Sequence, residues 1–245
     1  MSMDLRQQCD LLLSGHLEPT PAQTFAQMAE WCEAHNVSHD SYGDGEFIES
    51  FENKVAELLG YEAAVFVITG TMNQPTALEI AKGFDSAYVS LYKGLNGLGG
   101  SLLLGDKAFV AKASAWMKRQ GGNVYHRTPY VVSAAMQFDE RLELMPSLFE
   151  RTKQIYQILL DYPQFTVNPQ QPQVNMLHLY LPVSYEDGII VRDNIAKKHK
   201  IWIGNPAISE LPNQCKIEWY VGDNLLNLPD HELIDILDFI SEELI

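Results

Sequence analysis

Lys93 has the clearest chemical reach of any residue in this sequence. A short β-type run (Tyr88, Val89, Leu91) delivers it to a strand end. The glycines Gly94, Gly97, Gly99 and Gly100 follow at once, before a second apolar run, Leu102-Leu103-Leu104. A primary amine at a strand tip, beside backbone that glycine lets come close, suits an aldehyde. It can form a Schiff base if its surroundings keep part of it unprotonated. The bland alternative is an exposed lysine capping a strand. A second stretch adds to the first. At Thr69-Gly70-Thr71-Met72-Asn73-Gln74 a strand turns into a helix, so free backbone N–H groups and the helix dipole gather beside two hydroxyls. That is a phosphate cradle, although a plain N-cap by Thr69 or Thr71 is equally good chemistry. An amine on a strand tip beside such an anion pocket can reach a bound aldehyde cofactor.

Other chemistry-bearing residues are less organised. His35, His39 and Asp40 lie close together on a polar loop, where solvation is favoured over metal ligation. His178, His199 and His231 are scattered and receive no catalytic role. No metal site is expected. The three cysteines, Cys9, Cys32 and Cys215, are far apart and fit buried cytosolic thiols better than a disulfide framework.

The elements that must position these groups come from a chain of 245 residues, 46% apolar and 20% charged, ordinary for a globular enzyme with one large or two modest domains. A net charge of −15 argues against nucleic acid or an anionic membrane as partner. The N-terminus, Met1 to Arg6, carries charge and leads into no long apolar run, so a secretory signal is not read there and a cytoplasmic location is expected. Residues 3–14 and 21–35 read as helices. Asp40 to Gly45 is a turn. Glu46 to Leu59 is an amphipathic helix stopped by Gly60. Ala63 to Ile68 is a continuous apolar strand of the kind buried in a mostly parallel sheet. A helix follows to about Ala81, then the lysine strand, then a helix from Lys107 to about Gln120, capped by Asp106. Thr128 to about Leu160 reads as helical with a break near Pro146. The last third alternates: strand Val174–Leu181, helix Glu186–His199, strands Ile201–Ile203 and Lys216–Val221, helix Asp230–Leu244.

Several of these stretches resemble the threonine aldolase / β-eliminating lyase family, the aromatic amino acid β-eliminating lyases included. These are pyridoxal 5'-phosphate (PLP) enzymes of the aspartate-aminotransferase fold type I. The likeness is carried by Asp40-Ser41-Tyr42-Gly43-Asp44-Gly45, by Phe51 to Gly60, by Ala63 through Gln74, and by Phe84-Asp85-Ser86 through Lys93-Gly94-Leu95 to Gly99-Gly100-Ser101. The resemblance implies that Lys93 binds the cofactor aldehyde, that Gly70, Thr71 and Thr69 hold its phosphate, and that Tyr42 lies near the site, reaching it from a neighbouring subunit. It implies a homo-oligomer acting on a small-molecule amino acid. The implied reaction is cleavage of a β-hydroxy amino acid to glycine and an aldehyde.

The chain also departs from the family pattern. Several strand–helix units, at about 30 residues each, should separate the Gly-Thr-Met helix from the lysine strand. Here only Lys82 to Asp85 intervene. The absent block would supply the group stacked on the cofactor ring and the aspartate for its nitrogen. Neither Asp44-Gly45 nor Asp187-Gly188 can replace that aspartate. The family's Ser-Asp-Thr-like run is not recognisable near residues 14–20. Lys216-Ile217-Glu218-Trp219 lacks the substrate-clamping arginine, for which Arg127 and Arg192 are the candidates.

The expected fold is therefore α/β: a shortened PLP-dependent transferase-like large domain with about three retained strands, plus a C-terminal α/β small domain. Boundaries are expected at 1–130 and 131–245. By the resemblance, Ala63–Ile68, Ser86–Leu91 and Gly100–Leu104 lie side by side, with the last antiparallel in the middle. Ser86–Leu91 then becomes an open edge, which should pair with another chain, be covered, or aggregate. Weak aldolase activity is expected. The alternative is an inactive shortened homologue that folds and associates without turnover.

Overall fold

The computed structural model describes residues 2–17, 19–68, 84–119, 122 and 124–244. The chain divides into two compact units, Pro19–Glu143 and Met1–Glu18 with Leu144–Ile245.

The first unit opens with helix α2 (Pro21–Ala34), following α1 (Ser2–Gln7) and β1 (Leu11–Leu12) of the other unit. Thr20 and Gln23 form a reciprocal capping box at its start, which satisfies two otherwise unpaired N–H groups. Helix α3 (Glu46–Leu59) buries Phe51, Val55 and Leu59 on one stripe and ends at Gly60 in the left-handed conformation. Strands β2 (Ala63–Val67), β3 (Ser86–Ser90) and β4 (Ser101–Gly105) form one sheet in the order β2–β4–β3. The middle strand runs antiparallel to both neighbours. Side chains alternate across a strand, so Ala64, Phe66, Leu102 and Leu104 share one face. They pack with α3 and with Val131, Ala134 and Phe138 of the long helix α5 (Thr128–Leu159). Helix α4 (Lys107–Arg119) precedes α5, and the Asp106 carboxylate accepts the Phe109 N–H at its start, 2.6 Å away.

The second unit is built on a four-stranded antiparallel sheet in the order β5–β6–β9–β8 (Thr166–Asn168, Met176–Leu181, Cys215–Tyr220, Pro206–Ile208). Leu177, Leu179, Leu181, Ile217 and Trp219 share a core with α6 (Tyr185–His199) and α8 (Asp230–Glu242). The buried Trp219 indole donates to the Ile203 carbonyl at 2.8 Å, so its one polar atom is satisfied. Strand β7 (Ile201–Trp202) pairs in parallel with β1, and α7 (Asp223–Asn227) precedes α8.

The structure departs from the sequence reading in three places. The first helix stops at Gln7. Leu11 and Leu12 leave it to pair with Ile201 and Trp202, because the Asp10 and Leu11 N–H groups find the Lys200 carbonyl. Helix α5 runs unbroken through Pro146, which is exposed; buried residues on both sides, Phe138 and Leu148 among them, hold the helix on course. The strand Ala63–Val67, whose apolar run alone suggests a mostly parallel sheet, pairs antiparallel with β4, the arrangement the family likeness implies, and β4 is its only partner among the described residues.

Candidate functional site

Strands β2 and β3 end together. Val67 and Ser90 both lie opposite Ser101, one on each side of β4. The two strands therefore point the same way, with carboxyl ends two strand spacings apart, roughly 10 Å. Ligands of α/β folds bind outside the carboxyl ends of strands, where backbone leaves the sheet. Lys93 stands in the turn after β3 and is exposed.

That turn is tightly held. Leu91 N–H donates to the Gly100 carbonyl at 3.1 Å and Gly97 N–H to the Leu91 carbonyl at 2.8 Å. Asn96 N–H donates to the carbonyl of Lys93 itself at 3.0 Å. Helix α5 braces the outside: Ser133 accepts the Leu98 N–H at 3.0 Å, and the Gln137 amide donates to the Asn96 carbonyl at 2.9 Å. Gly100 N–H donates to the Ile68 carbonyl at 3.1 Å, which ties the lysine turn to the last described residue of the β2 side. Gly100 has a φ of +92°, and a Cβ there would meet the Phe66 ring, so only glycine suits this junction. Thr69, Gly70 and Thr71 come next in the chain and lie outside the described residues, as does the helix expected to about Ala81.

Tyr42 is held elsewhere in the unit. It adopts a φ of +57° and stays 48% exposed, and its N–H donates to the Tyr125 carbonyl at 2.8 Å. Its ring meets Tyr125 edge-on at 5.1 Å. The turn around it is fixed by Asp40, which is 1% exposed. One carboxylate oxygen accepts the N–H groups of Arg127 (2.8 Å) and Thr128 (2.9 Å) and the Thr128 hydroxyl (2.6 Å); the other accepts the Gly43 N–H at 2.8 Å. Burial pushes the Asp40 carboxyl up, but the Thr128, Gly43 and Arg127 bonds outweigh it and hold it below its ordinary value. A negative charge is thus fixed at the N-terminus of α5, where the helix dipole favours it.

Arg127 connects this turn to β2. Its Nη1 donates to the Phe66 carbonyl at 3.0 Å, and a Cβ on Gly43 would stand 2.7 Å from the same nitrogen. The Glu52 carboxylate accepts the Phe66 N–H at 2.6 Å. Burial pushes Glu52 up to about 7, against the opposing pull of the Phe66 bond and the Arg127 charge. Glu52 and Arg127 thus occupy both bonding groups of Phe66 on the side of β2 away from β4. Within one chain this places the Tyr42 turn beside β2 and Lys93 beyond β3, on opposite sides of the middle strand.

The two candidate arginines are both engaged. Besides Arg127, Arg192 is 5% exposed, donates to Asp193 at 2.7 Å and to Asn205 at 3.3 Å, and stacks over Trp202 at 4.5 Å. His35 stacks on Trp31, with ring centres 3.9 Å apart, instead of facing a ligand. Among the described residues no cluster of three His, Cys, Asp or Glu side chains could hold a metal ion, and no helix is long and apolar enough to cross a membrane. Sequence reasoning missed the parts of Glu52 and Asp40. The Glu52 partner lies 14 residues away and the Asp40 partners at the start of α5 lie 87–88 away; only the Gly43 N–H, three residues on, is local.

The profile of the beta-eliminating lyase family matches this chain in two segments, residues 19–80 and 73–181. The chain belongs to the beta-eliminating lyase family. The two matched segments overlap at residues 73–80, between the Gly-Thr-Met stretch and the lysine strand, and at 245 residues this is a shortened member. Solved structures agree on the fold. A putative L-allo-threonine aldolase from Listeria monocytogenes superimposes with a TM-score of 0.84 over 98% of both chains at 20% identity. A putative aromatic amino acid beta-eliminating lyase/threonine aldolase from Exiguobacterium gives 0.83 at 20% identity, over 98% of this chain and 99% of that one. A serine palmitoyltransferase from S. paucimobilis, with PLP and myriocin bound, gives 0.64 at 7% identity over 95% and 86%. No curated protein matches by sequence. The fold is that of a PLP-dependent transferase with a reduced large sheet.

Proposed function

We propose that this protein is a PLP-dependent lyase of threonine-aldolase type. It cleaves a β-hydroxy amino acid to glycine and an aldehyde, slowly, because part of the family's site is missing. The reading rests on one observation in a member of this family: the turn bearing Lys93 and the chain leaving β2 share one end of one sheet, bonded through Gly100 and Ile68. The residues fit the cofactor in kind. A solvent-reachable amine stands where an aldehyde could approach, beside backbone held close by glycine. When bound, PLP supplies the electron sink for breaking the Cα–Cβ bond. Lys93 would hold its aldehyde carbon through the side-chain amine. Thr69, Gly70 and Thr71 hold the phosphate through N–H and hydroxyl groups. Tyr42 serves the site of a neighbouring subunit, in keeping with its position on the far side of β4 in its own chain. The assembly is a homo-oligomer.

One observation favours a second reading. Arg127 and Arg192, the arginines available for a substrate carboxylate, are already bonded within the protein. On that reading the chain is an inactive shortened homologue that folds and associates without turnover. The test is to mix the protein with PLP and threonine, following the cofactor's absorption and aldehyde release. An absorption shift absent from Lys93→Ala, with slow aldehyde release, supports the lyase. A shift without aldehyde selects the inactive homologue. No shift at all overturns the cofactor assignment.

A further inference from the structure

Asn96-Gly97 is the one Asn-Gly pair in the sequence; every other asparagine is followed by proline or by a residue with a larger side chain. The pair carries chemistry of its own, of the kind that makes asparagine thermolabile. The Gly97 backbone nitrogen can attack the side-chain amide carbon of Asn96, because glycine has no side chain to crowd the five-membered ring that forms. The bond to Nδ2 then breaks, and ammonia leaves with the Gly97 proton. Water opens the ring at one of its two carbonyls, giving aspartate or isoaspartate.

The turn after β3 demands this pair. Asn96 has a φ of +53°, a left-handed conformation that asparagine tolerates better than most residues. A Cβ on Gly97 would stand 2.9 Å from the Leu91 carbonyl oxygen and 3.4 Å from Ala134, so glycine is required there. Both residues are half-buried, and water reaches them. The same turn holds the pair out of reaction. Gly97 N–H, the attacking group, donates to the Leu91 carbonyl at 2.8 Å, and Asn96 N–H donates to the Lys93 carbonyl at 3.0 Å. From α5, the Gln137 amide grips Asn96 twice. Its Nε2 donates to the Asn96 carbonyl at 2.9 Å, and its Oε1 accepts from the Asn96 side chain at 3.3 Å. Ring closure turns the 96–97 peptide and swings the Asn96 side chain onto it, so these bonds must open first.

We propose that Asn96-Gly97 is a latent self-modification site: conversion of Asn96 to isoaspartate unfastens the turn that carries Lys93, and the Gln137 brace sets how slowly this happens. Isoaspartate routes the backbone through the side-chain carbon, which adds one methylene between residues 96 and 97. The bonds to the Lys93 and Leu91 carbonyls lie on either side of that point, and the longer chain cannot keep both. The product also places a carboxylate three residues from Lys93. The turn thus has a finite lifetime, governed by how often it opens locally. None of this depends on cofactor binding.

The test is to age the full chain at mildly alkaline pH, with and without urea, and to follow the Asn96 peptide by mass spectrometry with isoaspartate detection. In urea the peptide should gain one mass unit, as isoaspartate and aspartate. In the folded chain the gain should be at least about tenfold slower, since it waits on local opening. Gln137→Ala, folded by far-UV circular dichroism, should speed the folded chain's conversion at least about fivefold, the weight of one net hydrogen bond. If Gln137→Ala fails to fold, Ser133→Ala decides in its place, because it removes the acceptor of the Leu98 N–H in the same turn. The separated isoaspartate form should exchange its Gly97 and Leu98 amides faster than the unmodified chain. The proposal is overturned by a peptide that gains no mass in urea, or by a folded chain that converts as fast as the unfolded one. A folded brace variant with an unchanged rate, or a modified turn that keeps its amide protection, would also overturn it.

Discussion

Glu52 makes the most testable single-residue claim. Its folded pKa of about 7 stands above the ordinary 4.5. Between those values the folded state holds a proton that the unfolded state has lost. Stability therefore falls as pH rises from about 4.5 through about 7 and is level above that. The full effect is on the order of 3 kcal/mol. Denaturant titrations at pH 5 and pH 8 should show this fall, and Glu52→Gln, which keeps an acceptor for the Phe66 N–H, should flatten it. Asp40 acts with the opposite sign. Its carboxyl is held below the ordinary 3.8, so its stabilisation is fully present above that value and is lost as pH falls through the lower folded pKa. Asp40→Ala leaves the Arg127 and Thr128 N–H groups without their partner and should cost about 2 kcal/mol in urea unfolding at neutral pH. Neither role could be read from the sequence. Glu52 looked like the polar flank of an amphipathic helix and Asp40 like a solvated loop residue, because what defines each is a partner far along the chain. The placement of Lys93 after β3 was legible because its signal is local: a lysine at a strand end followed by glycines.

At the scale of elements, the turn between β3 and β4 is the most constrained. Gly100 sits where φ is +92° and a side chain would enter the Phe66 ring. Gly100→Ala should cost about 3 kcal/mol or more, combining left-handed strain with displacement of a buried aromatic. Thermal melting would register that loss. Because Gly100 N–H also holds Ile68, cofactor uptake should weaken in the same variant. Elements with strong periodicity were readable, α3 with its stripe and terminal glycine among them. Those decided by distant partners were not. Leu11 and Leu12 follow a helical stretch yet pair with β7, and α5 continues through Pro146 because packing on either side outweighs one missing N–H. The middle position of β4 was readable only through the family likeness, since local sequence carries no strand order.

At the scale of the whole molecule, each unit carries its own apolar core, one around Phe66 and Phe138, the other around Trp219. Loss of a contiguous part of the large sheet is therefore compatible with folding: β4 keeps a partner on both sides, and the β2 edge is closed by Glu52 and Arg127. The same loss should lower turnover, and the two candidate arginines, Arg127 and Arg192, are already committed to internal bonds. Compared with a full-length member of the family under matched PLP and threonine, kcat should fall far more than cofactor affinity. The most direct check of the central claim is borohydride reduction of the PLP-treated protein, followed by peptide mapping. The account predicts a single pyridoxyl group on the peptide containing Lys93, absent when phosphate-free pyridoxal replaces PLP at the same low concentration. Label spread over several surface lysines, or Lys93 left unmodified, would contradict it.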